Sequence, residues 1–314
     1  HEVFITASIG IAISNPEYRN PEILLRDADT AMYRAKAYGR SRYVLFDETM
    51  HAHTFTHWQT EMDLRRAVNR KEFLLHYQPI INLQDNKMAG YEALLRWNHP
   101  QQGLLMATKF ISVIEDMDLI MPIGEWVFTE ACRQTSHWHK KYSDRPPLPV
   151  CINLFSRQFM QPDLVDFIKN ILHETGLDPR LIKIEITERV IMENTEFAIE
   201  MMKQLKNMNL QLLVDDFGTG YSSLSYIQNF PVDMLKIDRS FVNRMSVEEE
   251  SMGIIQAIIM MARSLGIKVL AEGVENGTQV EKLKSLKCDY AQGYYYSDVL
   301  SPEQMENLFE QKNK

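Results

Sequence analysis

The chain has 314 residues, 45% of them apolar and 24% charged, which is enough to bury one large core or two medium ones. Its formal charge of −8 argues against a surface that coats a nucleic-acid polymer, which needs clustered Lys and Arg, and suits a collector of divalent cations. Cys132, Cys151 and Cys288 show no metal-binding spacing and leave an odd thiol, so they read as reduced core residues of a cytoplasmic protein.

Residues 1–46 carry a strand (Phe4–Ile13), a helix and a second strand (Arg42–Phe46). The helix begins near Pro21, repeats apolar residues at Leu24, Leu25, Ala28, Ala31, Met32 and Ala35, and stops at Gly39. One helix and two strands make no core alone, and His1 opens in mid-strand, so this reads as the end of a domain whose start lies outside the sequence. Residues 47–70 read as a helical linker in which His51, His53 and His57 are solvated positions.

From Phe73 the pattern becomes periodic. Strand-like runs fall at Leu74–Ile80, Met88–Leu95, Val150–Leu154, Ile182–Ile186, Leu210–Val214, Met234–Ile237, Lys268–Ala271 and Tyr290–Tyr294. Amphipathic stretches such as Gln158–Thr175, Thr195–Met208, Glu249–Leu265 and Gln279–Leu286 separate most of them. This alternation predicts βα units with a parallel sheet, and the count predicts an α/β fold of the (β/α)8 barrel type over residues 71–314. No glycine-rich dinucleotide fingerprint follows a strand. The most apolar stretch, Met252–Leu270, is broken by Gln256, Arg263 and Lys268, and reads as a buried helix entering a strand; no membrane contact is expected here. A longer protein could still carry an anchor. His137-Trp138-His139 reads as a solvent-facing helical segment, and the methionines read as core filler.

A barrel of this type carries its chemistry at the C-terminal strand ends. There the sequence sets Glu92, Leu94 and Arg96 on one face of strand two, Asn153 after strand three, Glu185 with Glu188 after strand four, and Asp215-Asp216 after strand five. Lys236, Asp238 and Arg239 follow on strand six, Glu272 and Glu275 on strand seven, and Gln292 on strand eight. Packing does not require polar residues at strand end after strand end. Oxygen-only donors without His or Cys favour Mg²⁺ or Mn²⁺ over Zn²⁺. Two ions about 4 Å apart could share Asp215 and activate a water against a phosphodiester. Lys236 could orient that water, and the Arg96 fork suits a phosphate.

The motifs Tyr77-Gln78-Pro79, Glu92-Ala93-Leu94-Leu95-Arg96-Trp97, Glu185-Ile186-Thr187-Glu188, Asp215-Asp216-Phe217-Gly218-Thr219-Gly220, Leu235-Lys236-Ile237-Asp238-Arg239 and Ala271-Glu272-Gly273-Val274-Glu275 resemble the EAL-domain cyclic di-GMP phosphodiesterases. Gln292-Gly293-Tyr294 continues the match. Residues 1–46, with Ala7-Ser8-Ile9-Gly10 and Asp27 to Lys36, resemble the C-terminal part of a GGDEF (diguanylate cyclase) domain whose signature loop falls upstream.

The resemblance implies hydrolysis of cyclic di-GMP to linear pGpG with two Mg²⁺ or Mn²⁺ ions, Ca²⁺ being inhibitory. One ion falls to Glu92, Asn153, Glu185 and Asp215, the other to Asp215 and Asp216 with Glu272 and Gln292 nearby. Lys236 and Glu272 take catalytic roles, and Glu188 braces the loop after Asp216. Gln78, Leu94, Arg96, Asp238, Arg239 and Glu275 line the dinucleotide. A homodimer through the barrel, and GGDEF or sensor domains upstream, are further implications. Phe155, Asp116-Met117-Asp118 and Val299 depart from the usual pattern without removing a ligand. Two other readings remain: a cyclic di-GMP receptor with little turnover, which would not need the full metal set, and a barrel hydrolase acting on another phosphodiester.

Overall fold

The structure, a computed structural model, describes residues 6–15, 20–37, 41–47, 49–219, 227–245 and 248–311. The side chains of His51, His53 and His57, and the segment Gly220-Tyr221-Ser222-Ser223-Leu224 singled out in the sequence, lie outside what is described. The chain divides into two compact units, one reaching to Lys71 and including Phe110–Met117, the other comprising Glu72–Lys109 and everything from Asp118 onward.

In the first unit, strands β1 (Ile9–Ile11) and β2 (Tyr43–Leu45) pair in parallel. The helix Pro21–Ala37 follows the predicted start, with Ala31 and Ala35 buried. A Cβ on Gly10 would fall 1.9 Å from the Ala28 carbonyl oxygen, so only glycine lets this strand lie so close to the helix. A helix spans Thr49–Arg70.

The second unit is a closed barrel. Its strands are β3 (Phe73–Asn82), β4 (Met88–His99), β6 (Val150–Asn153), β7 (Ile182–Thr187), β8 (Gln211–Phe217), β9 (Met234–Ile237), β10 (Lys268–Ala271) and β11 (Tyr290–Ala291). They run β3-β11-β10-β9-β8-β7-β6-β4, and a β3–β4 pairing closes the ring. Among the described residues β5 (Gly103–Met106) pairs only with the extension of β4. The barrel type is as expected, with one correction. β3 is antiparallel to both neighbours. Asn82 and Lys87 close a tight turn between β3 and β4, and a connection that short allows only a hairpin, since a parallel pair needs a crossover of a dozen residues or more.

The helices fall close to prediction. The stretch from Gln158 to Thr175 divides into Ser156–Phe159 and Leu164–Thr175, with Pro162 between them. The apolar run after Met252 is a helix, Glu249–Ser264, leading into β10, and no helix among the described residues is long and apolar enough to cross a membrane. All three cysteines are buried and free. His137-Trp138-His139 differs from expectation: Trp138 is core, donating to Glu306 at 3.1 Å, and His139 is half-buried against the Leu148 carbonyl.

Inward-facing Ile80, Cys151, Leu213, Met234 and Leu270 form an apolar plug inside the ring. One alternation further along their strands stand Gln78, Asp215, Lys236 and Glu272, so the plug is the floor of the polar mouth.

Candidate active site

Lys236 is the centre of that mouth and is 1% exposed. Its Nζ lies 2.6 Å from Glu185 Oε2, 2.6 Å from Glu272 Oε1, 3.3 Å from Asp215 Oδ1 and 3.5 Å from Glu92 Oε2. Four strands thus bring four carboxylates to one ammonium. Amides complete the ring. Asn153 Nδ2 donates to Glu92 Oε1 at 2.8 Å. Gln292 Nε2 donates to Glu92 Oε2 at 2.8 Å and to Gln78 Oε1 at 2.9 Å, while Gln78 Nε2 donates to the Ser297 carbonyl.

One cation cannot balance four carboxylates, two of them buried and two partly so, and the protonation energetics carry that imbalance. Burial, then Glu92, pushes the Glu185 carboxyl far up despite its contact with Lys236. Burial lifts Glu272 to about 8, with Lys236 opposing and Asp215 and Glu92 adding to the rise. Burial also acts upward on Glu92, but Lys236 and the two amides outweigh it and hold this carboxyl below its usual range. Burial works against charge on Lys236, yet the four carboxylates override it and keep the amine protonated.

Asp215 and Asp216 are consecutive in β8, and an extended backbone would point them to opposite faces. The pairing of β8 with β9 shifts register between Val214 and Phe217, and Asp216 takes φ +54°, the turn that the sequence demanded if both were to serve one site. The Asp216 amide donates to Asp215 Oδ1 at 2.9 Å. Burial, Asp215 and Asp238 raise Asp216 to about 6. Glu188 reaches across from the start of the helix Glu188–Glu193 and accepts from the Gly218 amide at 3.1 Å. Thr219 donates its hydroxyl to the Asp216 carbonyl.

The residues expected to line a dinucleotide are placed unevenly. Arg96 is buried on the face of β4 that carries Glu92 and Leu94; one guanidinium nitrogen donates to the Leu95 carbonyl. Asp238 caps the helix Arg239–Arg244 through the Ser240 amide. The Arg239 side chain packs at Gly273, where an added Cβ would meet its Cβ at 2.6 Å. Glu275 is exposed beyond β10. Sequence reasoning passed over His76, which pairs across the β3–β4 ladder with Leu94; burial, then Arg96, lowers its pKa. The signal was available: His76 is two residues from Gln78 in a strand and shares its face.

The donor set suits a hard divalent cation. It is all oxygen, strongly anionic, and includes two buried oxygens, Glu185 Oε1 and Gln292 Oε1, that accept no hydrogen bond. Among the described residues no three acidic, His or Cys side chains are set to grip an ion in this arrangement; the Lys236 ammonium stands between them.

Fold and site together define a class, a TIM-like barrel with an acidic, lysine-centred mouth. The chain belongs to the EAL-domain family, whose match covers residues 61–298, and residues 1–42 match the diguanylate cyclase GGDEF domain. It is 39% identical, over 97% of its length and 44% of the relative's, to the bifunctional diguanylate cyclase/cyclic di-GMP phosphodiesterase MucR of Pseudomonas aeruginosa. It is 34% identical to the cyclic di-GMP phosphodiesterase PdeR of Escherichia coli, over 94% of this chain and 44% of that protein. A solved structure of the PaMucR phosphodiesterase in complex with c-di-GMP superposes with a TM-score of 0.76 at 39% identity, covering 79% of this chain and 99% of that one. The chain spans less than half the length of these curated relatives.

Proposed function

We propose that the barrel hydrolyses a 3′,5′-phosphodiester of cyclic di-GMP to give linear pGpG, with two Mg²⁺ or Mn²⁺ ions. The observation that carries this reading is the convergence of four carboxylates on Lys236 at the barrel mouth, in a chain whose relatives include named cyclic di-GMP phosphodiesterases. Glu92, Asn153, Glu185 and Asp215 would hold one ion; Asp215 and Asp216 would hold the second, with Glu272 and Gln292 beside it. Bound there, the ions would supply Lewis-acid charge and lower the pKa of the attacking water. Ca²⁺, which is larger and takes more ligands, would occupy the ring without supporting turnover.

Lys236 orients the water and steadies charge on the phosphate; Glu272, 2.6 Å away, holds the ammonium in place. The water oxygen forms the new bond to phosphorus, the bond to one 3′ oxygen breaks, and the proton ends on that leaving oxygen. Arg96 offers its fork to the phosphate, and Gln78, Leu94, Asp238, Arg239 and Glu275 line the nucleotide. Glu188 fixes the turn after Asp216 through Gly218.

The working unit is taken as residues 71–314, joined by the helical stretch 47–70 to the GGDEF-like residues 1–46, and as a homodimer through the barrel within a longer protein that carries regulatory domains upstream. The test compares the chain with its Asp215→Asn variant on cyclic di-GMP and Mn²⁺, resolving products by anion-exchange chromatography. The chain should yield pGpG, and the variant should be slower by about a thousandfold, since it loses a charge on which both ions would draw. Equal rates would remove the ring from the mechanism.

A further inference from the structure

A cavity with a cationic rim lies at the opposite end of the barrel from the carboxylates. Its volume is about 440 Å³, and it opens where β10 and β11 begin, beside the turn that follows β3. Leu83, Ile259 and Ile267, all buried, give it an apolar floor. Its rim carries Arg263, Lys268, Lys284 and Lys287 against a single carboxylate, Asp289. That is a local excess of cations in a chain of net charge −8.

Asp289 is fully engaged. Its Oδ1 pairs with Lys268 Nζ at 2.7 Å, and its Oδ2 accepts from the Val269 amide at 3.0 Å. Among the described residues Lys284 finds only a neutral partner, Asn86 Oδ1, at 2.8 Å. Arg263 and Lys287 make no side-chain hydrogen bond or ion pair among the described residues. The C-terminal ends of helices Glu249–Ser264 and Gly277–Ser285 face this region, and their carbonyls make cations tolerable there. They do not account for a cavity between those cations or for its apolar floor. Lys287, moreover, sits past its helix at φ +60°, a left-handed position usually left to glycine.

We propose that this cavity binds a small organic phosphate ester. The phosphate would sit between the Arg263 fork and the Lys284 and Lys287 ammoniums, with a compact aromatic or sugar body on Leu83, Ile259 and Ile267. The volume lies near the lower end of the roughly 300–1,000 Å³ usual for small-ligand sites and suits one ring system with its phosphate. No residue of this site belongs to the carboxylate ring, so the proposal stands apart from the reading of the catalytic mouth.

The probe is phenyl phosphate, titrated calorimetrically into the whole chain at low salt with a chelator present, and inorganic phosphate is the comparison. Saturable binding is expected, weakened at least about tenfold by the double variant Arg263→Glu, Lys287→Glu and unchanged by Arg96→Ala at the catalytic mouth. Circular dichroism checks that the double variant is folded, and Lys284→Gln, with a smaller loss, gives an independent reading. Four results would overturn the proposal: no saturable binding at millimolar probe, binding indifferent to the rim substitutions, binding lost with Arg96→Ala, or inorganic phosphate binding as tightly as the ester.

Discussion

At the scale of single residues, Lys236 decides how the site behaves. Among the described residues it is the one cation in contact with four carboxylates, of which Glu92 and Glu185 are buried and Asp215 and Glu272 partly so, and divalent ions would compete with it for the same oxygens. Replacing it with methionine keeps the volume and removes the charge. Breaking a buried ion pair from one side costs about 3–5 kcal/mol, because the anions left behind stay buried. Lys236→Met should therefore unfold at lower urea without metal, and Mn²⁺ should restore a large part of the loss by binding only the folded ring. Its turnover should fall by about a hundredfold or more even at saturating metal. Unchanged stability without metal would mean that the carboxylates do not depend on this ammonium.

The elements matter where they end. β8 stops in a register shift with Asp216 in a left-handed turn, and Glu188 pins the next amide but one, at Gly218. A charge-assisted hydrogen bond of this kind contributes roughly 1.5–3 kcal/mol. Glu188→Ala removes it without touching a residue proposed to hold metal. Turnover should fall by about tenfold or more, while Mn²⁺ affinity measured by calorimetry stays close to that of the chain. Full activity in this variant would show that the turn after Asp216 holds itself. Gly293 makes a similar point by packing, since an added Cβ would fall 2.2 Å from the Val274 amide nitrogen. That close approach fixes the backbone next to Gln292, whose amide joins Gln78 to Glu92.

Over the whole molecule, a good part was legible before any coordinates. Strand alternation and count gave the barrel, because residues facing a closed interior must alternate with residues facing helices. Parity along β4 put Glu92 and Arg96 on one face, and the sheet has them there. The inversion of β3 was legible and missed: the runs Leu74–Ile80 and Met88–Leu95 leave only residues 81–87 between them, too few for a parallel crossover. Other features were not legible. The burial of Trp138 depended on Glu306 from the last helix, a partner that no local pattern links to it. Nothing in the sequence placed Lys236 at contact distance from all four carboxylates, because barrel tilt and stagger set which strand ends converge.

The reaction proposed at that mouth depends on metal, and one assay reaches that dependence most directly. The initial rate of cyclic di-GMP hydrolysis by the intact chain is followed with Mn²⁺, after excess chelator, and again after Mn²⁺ is restored. The rate should vanish on chelation and return with the metal, and pGpG should be the product at each active stage. Hydrolysis that continues in chelator would contradict the account, as would tight nucleotide binding with no product under any metal, which would make the barrel a receptor.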